Sequence, residues 1–179
     1  MRNHVIVDLE TLSTQHNAAL LSIGAVRFDG DGIYDMFYCN VDPLDCIQKG
    51  ACTDERTMNW WKTQPEAIQK VLITDQQPLE KALAKFQEWF QKIPNSFVWG
   101  HGPTFDCSIL EDNFKLCGQR SIWPYNKERC ARTILQFDSG NKLKPERPDK
   151  HPSHHALFDA LYEAKHIIAV LKNFNLKLP

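Results

Sequence analysis

Asp8 and Glu10 stand two residues apart in the stretch HVIVDLET (4–11), at the end of an apolar run. Such a run reads as a buried β-strand, and residues two apart on a strand project from the same face. Two carboxylates about 4 Å apart repel by about 4 kcal/mol at an effective dielectric near 20. A shared proton, a basic partner or a cation has to offset that repulsion. Two further acids occupy comparable junctions. Asp106 follows the apolar run SFVWG and a turn bearing Gly and Pro, near a helix start, and Asp159 lies in the first turns of the last helix, five residues after His154. One acid at a helix start commonly serves as a cap or meets the macrodipole. A set of acids, each flanked by apolar residues that bury its backbone, is unlike solvated surface acids, and a cation held by carboxylates without thiols would be a hard divalent one.

The elements that must position these residues follow from pattern. Residues 4–8 read as a first strand. ALLSIGAVRFD (19–29) and IYDMFYCNV (33–41), separated by GDG, read as a hairpin, so the second and third strands are antiparallel. Residues 42–52, with Pro and Gly, read as a loop. Helical pattern dominates from Thr53 to about Ile93, where Pro65 and Pro78 suit helix first turns and Leu79, Leu83, Phe86, Phe90 and Ile93 form one apolar face. SFVWG (96–100) reads as a short buried strand, Phe105 to Leu116 as a helix, and ERCARTIL (128–135) as a strand running into a short helix. After a loop over 138–152, the last helix spans about Ser153 to Asn173, with Leu157, Leu161, Ala164, Ile168 and Leu171 toward the core. A hairpin followed by alternating helix and strand implies an α/β fold, a mixed sheet covered by helices.

Bulk properties narrow the function. A chain of 179 residues, 42% hydrophobic and 24% charged, is expected to form a single domain, residues 1–179. A formal net charge of −1 argues against binding through a large basic field and leaves room for a local basic groove. Lys142, Lys144, Arg147 and Lys150 form such a basic loop beside His154, either to steer phosphate or as a solvated loop. No apolar run is long enough to cross a bilayer, so no membrane partner is expected. The N-terminus enters an acid-bearing strand at once and does not read as a secretory signal. The six cysteines form no CxxC pair and several lie in apolar surroundings, as expected of a reduced, cytoplasmic protein without a zinc site.

Asp8-Leu9-Glu10-Thr11, Gly100-His101-Gly102-Pro103-Thr104-Phe105-Asp106 and His154-His155-Ala156-Leu157-Phe158-Asp159-Ala160 resemble, in order and spacing, the three motifs of the DEDDh 3′→5′ exonucleases. WGHGPTFD, TMNWW and RCARTI look like a subgroup of small stand-alone exonucleases from phages and bacteria. One departure is Gly102, where many family members carry Asn after the turn histidine. The resemblance implies a ribonuclease H-like fold with a mixed five-stranded sheet, and metal-dependent hydrolysis from DNA or RNA 3′ ends, single-stranded in the leading reading. Products would be nucleoside 5′-monophosphates. It implies two Mg²⁺ or Mn²⁺ ions, with Asp8 bridging both, Glu10 and Asp159 on the ion that activates water, and Asp106 on the second ion through water. A homodimer is common among stand-alone relatives.

By the same resemblance His154 is the general base, with an ordinary pKa near 6.5 that suits proton removal at neutral pH. On a continuous helix His155 would share a face with Asp159, whereas His154 requires a loop just before the first turn. His155 and His151 therefore stay open as alternatives. Thr11 and Leu12 resemble family positions that meet the terminal nucleotide. His101 either holds its turn or touches substrate, and Trp61, with Trp60, either stacks a base or packs a helix. Arg129 and Arg132 read as phosphate ligands or as surface ion pairs. The competing reading is a non-catalytic nucleic-acid-binding module on the same fold.

Overall fold

In the computed structural model, which describes residues 3–178, HVIVDLET runs as strand β1 (His4–Thr11) through the middle of a mixed sheet. The remaining elements are β2 (Leu20–Phe28), β3 (Ile33–Asn40), α1 (Pro43–Gln48), α2 (Glu55–Lys62), α3 (Glu66–Leu72), α4 (Leu79–Gln91), β4 (Phe97–Gly100), α5 (Pro103–Leu116), β5 (Glu128–Cys130), α6 (Ala131–Leu135) and α7 (Ala156–Asn173). Among the described residues the sheet has five strands in the order β3-β2-β1-β4-β5. β1 pairs antiparallel with β2 and parallel with β4, so the carboxyl ends of β1 and β4 open on the same edge. The mixed, helix-flanked sheet is the one expected. The expected domain, 1–179, includes residues 1, 2 and 179, which lie outside the described residues, as does the start of the segment read as lacking a secretory signal.

Strand periodicity sorts β1 onto two cores. Val5, Val7 and Leu9 pack with Leu83, Phe86 and Phe90 of α4 and with Ile109, Leu110 and Phe114 of α5. Ile6 points the other way, onto Ala160, Ala164, Ile167 and Ile168 of α7. Asp8 and Glu10 continue the Ile6 series, so both acids face α7. The helix comes unusually close here. A Cβ on Gly24, the β2 partner of Asp8, would stand 2.1 Å from the Ala156 carbonyl carbon and 2.2 Å from the Leu157 nitrogen. Glycine at this strand position lets backbone pack on backbone.

Three expectations change. The stretch read as a loop over 42–52 contains α1, because the Asp42 side chain caps Leu44 N–H at 2.9 Å and Pro43 occupies the first helical position. Pro65 and Pro78 sit at the cap positions just before α3 and α4, not inside their first turns. The last helix begins at Ala156, since His154 takes a left-handed backbone with φ 61° and His155 is extended. All six cysteines are free, with Cys39, Cys46 and Cys107 buried. No helix of the described residues is long and apolar enough to cross a membrane.

Candidate active site

At the carboxyl ends of β1 and β4 the acids converge. Carboxylate oxygens of Asp8, Glu10 and Asp159 all lie within 4.8 Å of one another. β1 supplies the first two and the opening turns of α7 the third. Asp106 comes from the first turn of α5 and is 3% exposed. The turn folds back on it: His101 N–H donates to Asp106 Oδ2 at 3.1 Å, and a Cβ on Gly100 would lie 2.9 Å from that same oxygen. Gly100 is thus needed for the carboxylate to reach the strand end.

The electrostatics match the geometry. Asp8 keeps some solvent contact, yet desolvation by surrounding protein pushes its carboxyl well above the usual range, helped by the charges of Asp106, Glu10, Asp159 and Glu163. Burial and then Asp159 and Asp106 raise Glu10 to about 8. Burial and then Glu163 raise Asp106 to about 7, against hydrogen bonds from backbone N–H groups that pull it down. The charges acting most strongly on Asp8 are all negative, and the cation bonded to the cluster, Arg147, reaches it through Asp159. An all-oxygen donor set of this kind fits Mg²⁺ or Mn²⁺ better than a thiophilic metal.

Asp8, Glu10 and Asp159 line a cleft of about 570 Å³ together with His101, Lys144, Arg147, Ser153, His154 and Glu163. A second cleft of about 590 Å³ adjoins it at Leu9 and Glu10 and is walled by Thr11, Trp60, Trp61 and Phe105. His154 therefore lies in the loop before α7 and over the acid cleft, with its ring edge-on to Trp60 at 4.8 Å. His155 is placed differently. It stacks on Tyr38 at 4.4 Å, its Nδ1 is buried without a hydrogen-bond partner among the described residues, burial lowers its pKa, and its backbone N–H donates to Asp159 Oδ2 at 3.2 Å. His151 hydrogen-bonds the Tyr162 hydroxyl at 2.9 Å, and burial lowers its pKa too.

The other sequence candidates separate by environment. Trp61 is buried and its indole N–H donates to the Thr11 carbonyl at 2.8 Å, while Trp60 is 40% exposed and lines the second cleft. Thr11 is buried, its hydroxyl donating to the Ser13 carbonyl at 2.7 Å, and Leu12 packs between two core clusters. His101 pairs through Nδ1 with Glu163, which raises its pKa. Arg132 donates to the His101 carbonyl at 3.0 Å, and a Cβ on Gly102 would stand 3.3 Å from its guanidinium. The Arg132 guanidinium and a φ of +98° both disfavour a side chain at Gly102, the position where the sequence departs from the family pattern. Arg129 lies over the Phe97 ring at 4.4 Å and bonds the carbonyls of Asn126 and Glu128, away from the acids.

Two contributors escape a sequence reading. Glu163 is a fifth acid facing the cleft, one helical turn beyond Asp159, and that i, i+4 spacing is the signal that could have found it. Gly24 sets how near α7 comes to β1. A glycine inside the apolar strand LLSIGAV signals close backbone approach but not by which segment.

Comparison with known proteins places this geometry. A family model described as the 3′-5′ exoribonuclease Rv2179c-like domain matches residues 3–171. No match to a curated protein was found. Among solved structures the chain is similar to Exonuclease X in complex with 5′ overhanging duplex DNA, at 16% identity and TM-score 0.64 over 97% of this chain and 94% of that one. It is similar to the nuclease domain of 3′hExo, a DEDDh family member bound to rAMP, at 15% identity and TM-score 0.64 over 98% and 94%. The RNase domain of yeast Pop2 matches at 10% identity and TM-score 0.62 over 100% and 80%. At these identities the likeness shows the fold, which is ribonuclease H-like.

Proposed function

We propose, for a chain that belongs to the family of the 3′-5′ exoribonuclease Rv2179c-like domain and is an exonuclease, that the substrate is the 3′ end of a single strand, RNA first and DNA second. The products would be nucleoside 5′-monophosphates. The observation that carries the site assignment is the convergence of Asp8, Glu10 and Asp159 within 4.8 Å, with Asp106 acting on Asp8 from the first turn of α5.

Asp8, Glu10, Asp106 and Asp159 would hold two Mg²⁺ or Mn²⁺ ions. When bound, such a pair neutralises phosphate charge, favours hydroxide at the attacking position and stabilises the leaving oxygen. The chain's own groups do the rest. His154, on its left-handed link above the cleft, accepts the proton of the attacking water. What supports His154 over His155 is placement, because His155 is wedged between Tyr38 and Phe158 and held at the helix start. Trp60, exposed at the second cleft, offers the terminal base a face, while Trp61 and Thr11 hold that wall in position through their hydrogen bond. Leu12 braces the wall from behind. His101, tied to Glu163, keeps the Asp106 turn against α7. The same proposal takes residues 1–179 as one exonuclease domain, cytoplasmic, without a membrane partner, working alone or as a homodimer.

Matched RNA and DNA oligomers, single- and double-stranded, labelled at the 5′ end and with the 3′ end free or blocked, test it in the presence of Mn²⁺. The expected result is a ladder shortening from the free 3′ end, with protection by the block. Binding without shortening would return the chain to a non-catalytic nucleic-acid-binding role.

A further inference from the structure

Asp159 enters the site with both carboxylate oxygens engaged. Oδ2 accepts the His155 backbone N–H at 3.2 Å, a contact built into the start of α7. Oδ1 carries Nη2 of Arg147 at 2.6 Å. Arg147 comes from the basic loop preceding α7, and its guanidinium rests 4.7 Å over the Tyr162 ring. Both side chains are 24% exposed, so the pair is partly desolvated and still open to the cleft. A guanidinium and a divalent cation repel each other strongly on one carboxylate oxygen. The His155 N–H cannot withdraw without opening the first turn of the helix. Arg147 can withdraw. Its other contacts, to Pro152, Ser153 and Phe158, are long at 3.3 to 3.4 Å, and the same cleft holds Lys144 on the side of the basic loop.

We infer that Arg147 is an exchanging counter-ion, neutralising Asp159 in the metal-free site and passing to a substrate phosphate oxygen once a divalent cation takes Oδ1. The inference rests on the exonuclease reading of the site. A guanidinium suits both stations, because carboxylate and phosphate present the same paired oxygen acceptors to its fork. Exchange also couples the two ligands. The cation frees the arginine that the nucleotide needs, and the nucleotide holds away the arginine that competes with the cation, so each tightens the other.

Calorimetric titration of Mn²⁺ into the metal-free wild type, Arg147→Gln and Arg147→Lys, followed by nucleoside 5′-monophosphate into the Mn²⁺-loaded proteins, tests this. Arg147→Gln should bind Mn²⁺ several-fold more tightly than the wild type and the monophosphate about tenfold more weakly, as loss of a charge-assisted hydrogen bond implies. Arg147→Lys, which keeps the charge and loses the fork, should fall between them. Unchanged or weaker Mn²⁺ affinity in Arg147→Gln, or unchanged monophosphate affinity, would overturn the exchange. A wild-type protein that takes up no Mn²⁺ would instead overturn the exonuclease reading, and the exchange with it.

Discussion

Replacing Gly24 with alanine perturbs the site without touching any acid. The added Cβ would stand 2.1 Å from the Ala156 carbonyl carbon and 2.2 Å from the Leu157 nitrogen, where ordinary contact begins near 3.4 Å. Both atoms are backbone, so no side chain can rotate aside. The start of α7 must then retreat by roughly 1.3 Å, or the strand must bend by as much. Asp159 rides on that first turn and now shares a 4.8 Å cluster with Asp8 and Glu10. A displacement of about 1 Å at a reacting centre costs about 10²-fold in rate. Overpacking should also cost about 1–3 kcal/mol, which lowers the melting temperature by roughly 2–12 °C in a chain of this size. Turnover of a 5′-labelled single strand in Mn²⁺, measured beside a thermal scan, reads both effects. Gly30→Ala, with nothing within 4 Å of its added Cβ among the described residues, serves as the control and should leave both unchanged. Wild-type turnover in Gly24→Ala would refute the idea that backbone contact between β2 and α7 sets the position of Asp159.

Other outcomes follow from the same geometry. His154→Ala should lower kcat by about 10²–10⁴-fold with the melting temperature unchanged, and full activity in that variant would shift the proton-accepting role to another group. The metal-free protein should lose stability as pH rises. Glu10 and Asp106 titrate higher in the folded state than their ordinary values of 4.5 and 3.8, near 8 and 7, so their contribution is present in full below about pH 4 and fades through pH 7–8. The rise in melting temperature on adding Mn²⁺ should therefore grow from pH 5 to pH 8, and a pH-independent increment in thermal scans would contradict it. Trp61→Phe removes the hydrogen bond to the Thr11 carbonyl, for an expected loss of about 1 kcal/mol in urea unfolding. An unchanged unfolding midpoint would mean that the indole N–H holds nothing in place.

The parts legible in the sequence are those governed by local geometry. Asp8 and Glu10 share a face because strand periodicity is covalent in origin, and the hairpin around GDG follows from turn chemistry. That the three motif segments share one cleft is implied by the resemblance to the DEDDh exonucleases and not by local pattern. What escaped depends on distant partners. Helix α1 needs Asp42 as its cap, and it is held from outside where Asp45 accepts the Leu79 N–H at 2.7 Å, a contact no local window contains. The last helix starts late because His154 turns left-handed, and Asp159 then ties its own carboxylate to the His155 N–H. Which of Trp60 and Trp61 faces the cleft depends on how α2 is seated against Thr11, whose carbonyl takes the Trp61 indole N–H from fifty residues along the chain. Arg132 filling the side of the turn at Gly102 is equally non-local.

Anomalous diffraction from crystals grown with Mn²⁺ and a nucleoside 5′-monophosphate tests the convergence of the acids most directly. Two manganese peaks among Asp8, Glu10, Asp106 and Asp159 are expected, with Asp8 in contact with both and both lost in Asp8→Asn. Manganese held elsewhere, or no peak within reach of Asp8, would contradict it.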